Sequence, residues 1–98
     1  MYNLRKTGQL KKDVKLCHKR NYDLSKLFVA IQTLIKTGTL PPEYSTHKLT
    51  GKSKQEETWD GHIESDWVIL WQVKDSDDSL FDGVVVLVRT GTHSDLFK

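Results

Sequence analysis

Cysteine and proline are nearly missing from this 98-residue chain, which has one of the first and two of the second. A lone Cys17 excludes an internal disulfide framework, so the fold must rest on its core or on a partner. Long apolar runs are missing as well. None approaches the roughly 20 residues needed to span a bilayer, which excludes a helical membrane protein, and residues 1–9 lack the apolar core of a secretion signal. A cytoplasmic location is expected. Acidic residues are scarce in the first half: residues 1–54 hold 12 lysines and arginines against three aspartates and glutamates. Residues 55–98 reverse this, with three against ten. A basic half suits a polyanion, because each neutralised phosphate releases counterions; the plainer alternative is that Lys11, Lys12, Lys15, Lys19 and Arg20 are the wet face of a helix.

The length fits one domain, residues 1–98, without repeats, linkers or low-complexity segments. Residues 2–5 are short and semi-alternating, as an edge strand would be. Leu10, Val14 and Cys17 recur at helical spacing and predict a helix from Gly8 to Lys19. Asp23 is placed to cap a second helix, whose stripe is Leu24, Leu27, Phe28, Ile31, Leu34 and Ile35. Gly38 and the pair Pro41-Pro42 end it. Thr58 to Ile63 alternates loosely. The run Trp67 to Val73 is nearly all apolar, as in a buried central strand. An acidic turn from Lys74 to Gly83 joins it to a β-branched strand, Val84 to Arg89, giving a hairpin. The expected fold is α+β, with two N-terminal helices packed on one face of a small, mainly antiparallel sheet. The other face of the sheet is left for function.

Histidines supply the candidate chemistry. His47, His62 and His93 fall near predicted strand ends, together with Asp66, Trp67, Arg89 and Phe97. Cleaving RNA requires a proton taken from the ribose 2′-hydroxyl, a proton given to the leaving 5′-oxygen, and charge held at phosphorus. Histidine suits the transfers because it titrates near neutrality. Arginine suits the phosphate because its forked donors stay charged. Aromatic rings hold unstacked bases. Each residue also has a plainer reading: Asp66 as a turn cap, Arg89 as an ion-pair partner, Trp67 and Phe97 as packing. His18, among lysines, reads as surface; Cys17, Trp59 and Trp71 read as packing. Three histidines and an aspartate could bind zinc, but their spacing is not that of a compact ligand set.

Three segments then converge on one family. His47-Lys48-Leu49-Thr50-Gly51 resembles an H-x-L-x-G element. His62-Ile63-Glu64-Ser65-Asp66-Trp67-Val68-Ile69-Leu70-Trp71 resembles an H-[IV]-x-x-D-[WL]-[IVL]-L-[IV]-[YW] strand pair. Arg89-Thr90-Gly91-Thr92-His93-Ser94-Asp95-Leu96-Phe97 resembles a closing R-x-G-[ST]-H-x-x-L-F signature. These belong to the YafQ branch of the RelE/ParE toxins, and the resemblance runs over essentially the whole chain, with Lys11-Lys12-Asp13-Val14-Lys15 and Leu40-Pro41 fitting the helical half.

The resemblance implies a RelE-like fold and the toxin of a type II toxin–antitoxin system. Such a toxin is a ribosome-dependent endoribonuclease that cleaves mRNA without a metal or other cofactor. It implies His47, His62, Asp66 and His93 as the proton-handling and orienting group, with His93 as acid and Asp66 or His47 as base. It implies Arg89 at the scissile phosphate, and Trp67 and Phe97 shaping an RNA-facing pocket. Implied partners are a cognate antitoxin, the ribosome with its rRNA, and mRNA; no membrane is involved. Three features depart from the pattern: an acidic loop over Gln55 to Asp60, Trp71 in place of tyrosine, and a longer hairpin from Lys74 to Gly83. The alternatives are a non-nuclease ParE-like toxin acting on DNA gyrase and an RNA- or partner-binding module without catalysis.

Overall fold

A computed structural model of the chain describes residues 1–49 and 57–97. Thr50 and Gly51 of the first motif, Gln55 and Glu56 of the acidic loop, and Lys98 lie outside the described residues. The element order is β1 (Asn3–Lys6), α1 (Gly8–Lys19), α2 (Leu24–Thr37), a 3₁₀ turn (Pro42–Tyr44), β2 (His47–Leu49), β3 (Thr58–Glu64), β4 (Trp67–Lys74), β5 (Val84–Gly91) and α3 (His93–Leu96). The five strands form one sheet in the order β1-β5-β4-β3-β2. The pairings β2–β3, β3–β4 and β4–β5 are antiparallel, whereas β1 lies parallel to β5 at the edge. The α+β expectation is met. No described helix is long and apolar enough to cross a membrane.

Local chemistry accounts for the element ends. Thr7 caps α1 by accepting the Leu10 N–H at 3.0 Å, and its hydroxyl donates to the Val88 carbonyl at 2.7 Å. One side chain thereby starts a helix and fastens it to β5. Asp23 caps α2 by accepting from the Ser25 N–H. Gly38 ends α2 at φ +75°, its N–H donating to the Leu34 carbonyl. A side chain is excluded there twice over, because a Cβ would also stand 2.6 Å from the Tyr2 ring. Gly38→Ala should therefore lower stability by about 1–2 kcal/mol, measured by urea denaturation; an unchanged midpoint would refute this account of the helix end.

The core joins Leu10 and Cys17 of α1 to Leu27, Ala30 and Leu34 of α2. Across from them lie alternate residues of the central strands, Trp67, Ile69 and Trp71 of β4 with Val85 and Leu87 of β5. Period-two alternation thus directs one face of the sheet at the helices. Val68 and Leu70, on the opposite face, are buried as well, which is why the β4 sequence shows no alternation. One residue of the expected α2 stripe departs: Phe28 is 56% exposed, and the buried arc runs through Ala30 instead. Helix geometry puts residues 27, 30, 31 and 34 on one side, with Phe28 at its margin.

Candidate functional site

Strand register gathers the candidate histidines at one end of the helix-free face. In β3, Asp60 pairs with Leu70, and His62 pairs with Val68. His47 in β2 pairs with Asp60, and Val68 pairs with Gly91 at the end of β5. Paired residues share a face, so His47, Asp60 and His62 look the same way. One strand spacing plus two residues of rise separates the His47 and His62 Cα atoms by about 8 Å. His93, two residues past Gly91, opens α3 and returns its ring over this surface.

The best-defined part of the site is the His93–Asp66 pair. Asp66 lies in the tight connection from β3 to β4, and its Oδ1 accepts the His93 backbone N–H at 3.2 Å. The same oxygen lies 2.9 Å from His93 Nδ1. The ring bond first, then the backbone N–H, holds the Asp66 carboxyl below the ordinary carboxylate range. An ionised carboxylate only accepts, so it fixes a proton on Nδ1 and leaves Nε2 as the working nitrogen. The His62 ring lies 5.3 Å from that of His93, and Phe97 lies 6.0 Å away on a tilted plane. Phe97 is 45% exposed.

His47 has its own carboxylate. Asp60 is buried, accepts the His47 backbone N–H at 3.2 Å, and lies 3.6 Å from its Nδ1. The sequence places Asp60 at the end of an acidic loop; it is instead a β3 residue supporting a histidine.

Arg89 takes the ion-pair partner that the sequence left open, whereas Trp67 is placed differently from the sequence expectation. Arg89 donates Nε and Nη2 to the two oxygens of Asp13, each at 3.1 Å. That bidentate pair raises the arginine above its ordinary value. Asp13 also accepts the Thr90 N–H at 3.2 Å and the Gln9 amide at 3.1 Å. Trp67, expected in an RNA-facing pocket, is only 2% exposed and belongs to the core. Its indole N–H donates to Thr90 Oγ1 at 2.9 Å, and that hydroxyl donates to the Val68 carbonyl. The Tyr22 ring packs on it at 4.9 Å. Trp67 therefore supports the strand ends from beneath; no base can stack on it.

Asp13, Asp60 and Asp95 are site components that sequence reasoning misses. Asp13 has a visible signal: with Leu10 and Cys17 it falls at i, i+3 and i+7, an acid on a buried face. Asp95 has another, since Thr92-x-x-Asp95 is a capping-box pattern. Asp60 has none, because only the β2 pairing gives it a partner.

A family model for the bacterial toxin of type II toxin–antitoxin systems, YafQ, matches residues 2–98. The chain belongs to the YafQ toxin family. It is 39% identical over 92 residues to the mRNA interferase toxin YafQ of Escherichia coli K12, covering 93% of this chain and 90% of that one. Its fold superimposes on a crystal structure of the E. coli DinJ–YafQ complex with a TM-score of 0.81, at 33% identity and full coverage of both chains. A metal-bound toxin from Helicobacter pylori matches at TM-score 0.78 and 28% identity, over 99% of this chain and 100% of that one. The chain is thus a type II toxin with the YafQ fold, as the three motifs implied.

Proposed function

We propose that this toxin is an mRNA interferase that cuts ribosome-bound message in the cytoplasm and is silenced by a cognate antitoxin. The observation that carries this reading is the His93 imidazole, anchored through Nδ1 to Asp66 and set against His62 and Phe97. Chemistry proceeds by attack of the ribose 2′-oxygen on the adjacent phosphorus, with the 5′-oxygen leaving. The products are a 2′,3′-cyclic phosphate and a 5′-hydroxyl. Attacking and leaving oxygens lie roughly in line, so base and acid belong on opposite sides of the phosphate. His93 Nε2 supplies the proton to the leaving oxygen. Asp66 makes a poor base, since its carboxyl is held low by the His93 contacts; its part is to orient His93. The base falls to His47, steadied by Asp60, while His62 stands between them and faces the phosphate. Arg89 keeps Nη1 for a phosphate oxygen while Asp13 accepts from Nε and Nη2, and Phe97 stacks a neighbouring base.

YafQ relatives are mRNA interferases by name, which favours this reading over a gyrase-directed one. The test is a reconstituted translation reaction with purified toxin, new 5′ ends being mapped by primer extension, with naked message in parallel. Cuts are expected only with ribosomes and should persist under a zinc-selective chelator that leaves magnesium in place. Intact message would sink the nuclease reading. Loss of cutting on chelation would replace the acid–base scheme with a metal-assisted one.

A further inference from the structure

We infer that Arg20 is a positioning residue for His93, acting through Asp95; the inference rests on the assignment of His93 proposed above. His93 is the first residue of α3, a helix of four residues. A helix this short is one turn and cannot hold itself. Its side chain is anchored by Asp66, but the direction of the turn is set elsewhere. Asp95 does this from three sides. Its Oδ2 accepts the Thr92 N–H at 3.0 Å while the Thr92 hydroxyl accepts the Asp95 N–H at 3.1 Å, a reciprocal cap. Its two oxygens take both terminal nitrogens of Arg20, at 2.7 and 3.2 Å. Its carboxylate also lies against the Gly91 backbone, where a Cβ would stand 2.9 Å from Oδ2.

Arg20 is itself a fixed post. It is the C-cap of α1, its N–H donating to the Leu16 carbonyl at 3.0 Å. A planar fork docked on both carboxylate oxygens fixes orientation as well as distance, which a single flexible ammonium cannot. The lock therefore ties the end of the first helix to the turn that bears His93, residues 75 positions apart in sequence. Rotation of that turn would swing Nε2 away from the leaving oxygen, because the ring pivots about its Asp66 anchor. Arg20 acts on the reaction only at second hand; its part is to set the angle of the proton donor.

Multiple-turnover cleavage of message on programmed ribosomes tests this with Arg20→Gln, Arg20→Lys and His93→Gln, alone and with Arg20→Gln added to His93→Gln. Arg20→Gln should lower kcat about 10-fold or more, as small misplacements of catalytic groups do, with KM unchanged. Arg20→Lys, which keeps charge without the fork, should recover only part. In the His93→Gln background Arg20→Gln should cost less than about 2-fold, because residues that act as a unit are not additive. A rise in KM with kcat intact would make Arg20 an RNA contact and overturn the lock. The same loss in both backgrounds would also overturn it, because the effect would then not pass through His93. Wild-type and His93→Gln proteins cleaving alike would overturn the site assignment itself, a result distinct from the other two.

Discussion

Replacing His93 with glutamine should slow ribosome-dependent cleavage by about 10²–10⁴-fold, the usual contribution of a positioned proton donor. Glutamine is close in reach and can still donate to Asp66 Oδ1, which His93 engages at 2.9 Å. The turn and its cap are left in place, since Asp95 and Thr92 make them without the imidazole. The substitution therefore removes the titrating nitrogen with little change in shape. Thermal unfolding should move by no more than a few degrees, and antitoxin binding should persist. The measurement is the appearance of 5′-hydroxyl ends on the message, which polynucleotide kinase labels without prior phosphatase. A variant that cuts at the wild-type rate would exclude His93 as the acid. Cutting that is lost together with the folded state would say nothing about proton transfer, so the melt must be recorded on the same preparation.

The second large effect is expected in stability. Asp13 is 6% exposed and accepts from four donors on three residues, Gln9, Arg89 and Thr90. Asp13→Ala strands the Thr90 N–H beneath α1 and leaves a guanidinium beside a vacated pocket. Removing one partner of a buried pair costs about 3–5 kcal/mol. The Arg89 side chain is 31% exposed, so solvent screens part of its charge and about 3 kcal/mol is a fairer expectation. For a domain of this size that lowers Tm by about 12–20 °C. Adding Arg89→Met to Asp13→Ala should restore a part of the loss, because no unpaired charge then remains. A melting point within two or three degrees of wild type for Asp13→Ala would show that the network contributes little. Activity should fall in both proteins, since Arg89 loses its orienting carboxylate in one and is absent in the other.

The two arginine–aspartate pairs serve different ends. Asp13 and Arg89 join the middle of α1 to the end of β5. Arg20 and Asp95 join the C-terminal end of α1 to α3. A cavity of about 270 Å³ lies between them, lined by Lys12, Leu16, Cys17 and Gly91 among others. Cys17 at its inner wall is buried, and burial pushes its thiol up from the ordinary value. That favours the neutral thiol and suits a packing residue more than a reactive one.

Much of this protein was determined by local pattern. The bounds of α1 followed from the helical spacing of Leu10, Val14 and Cys17, and those of α2 from Asp23 and Gly38, cap and stop acting within a turn. The β4–β5 hairpin followed from two apolar runs flanking an acidic turn. The motif order placed His47, His62, Asp66, Arg89, His93 and Phe97 in one family pattern, and register brings His62, His93, Asp66 and Phe97 together. What the pattern could not determine was which partner each polar group would take. Arg89 reads equally well as a phosphate ligand or an ion-pair donor; only the packing of α1 on β5 brings Asp13 to it. Trp67 reads equally well as pocket or core; a period-two strand has two faces, and the helices decide which is covered. The parallel pairing of β1 with β5 joins segments some 80 residues apart, and no local periodicity encodes it. Local propensity acts over a few residues and is written in the sequence, whereas long-range pairing is chosen by the burial of the whole core.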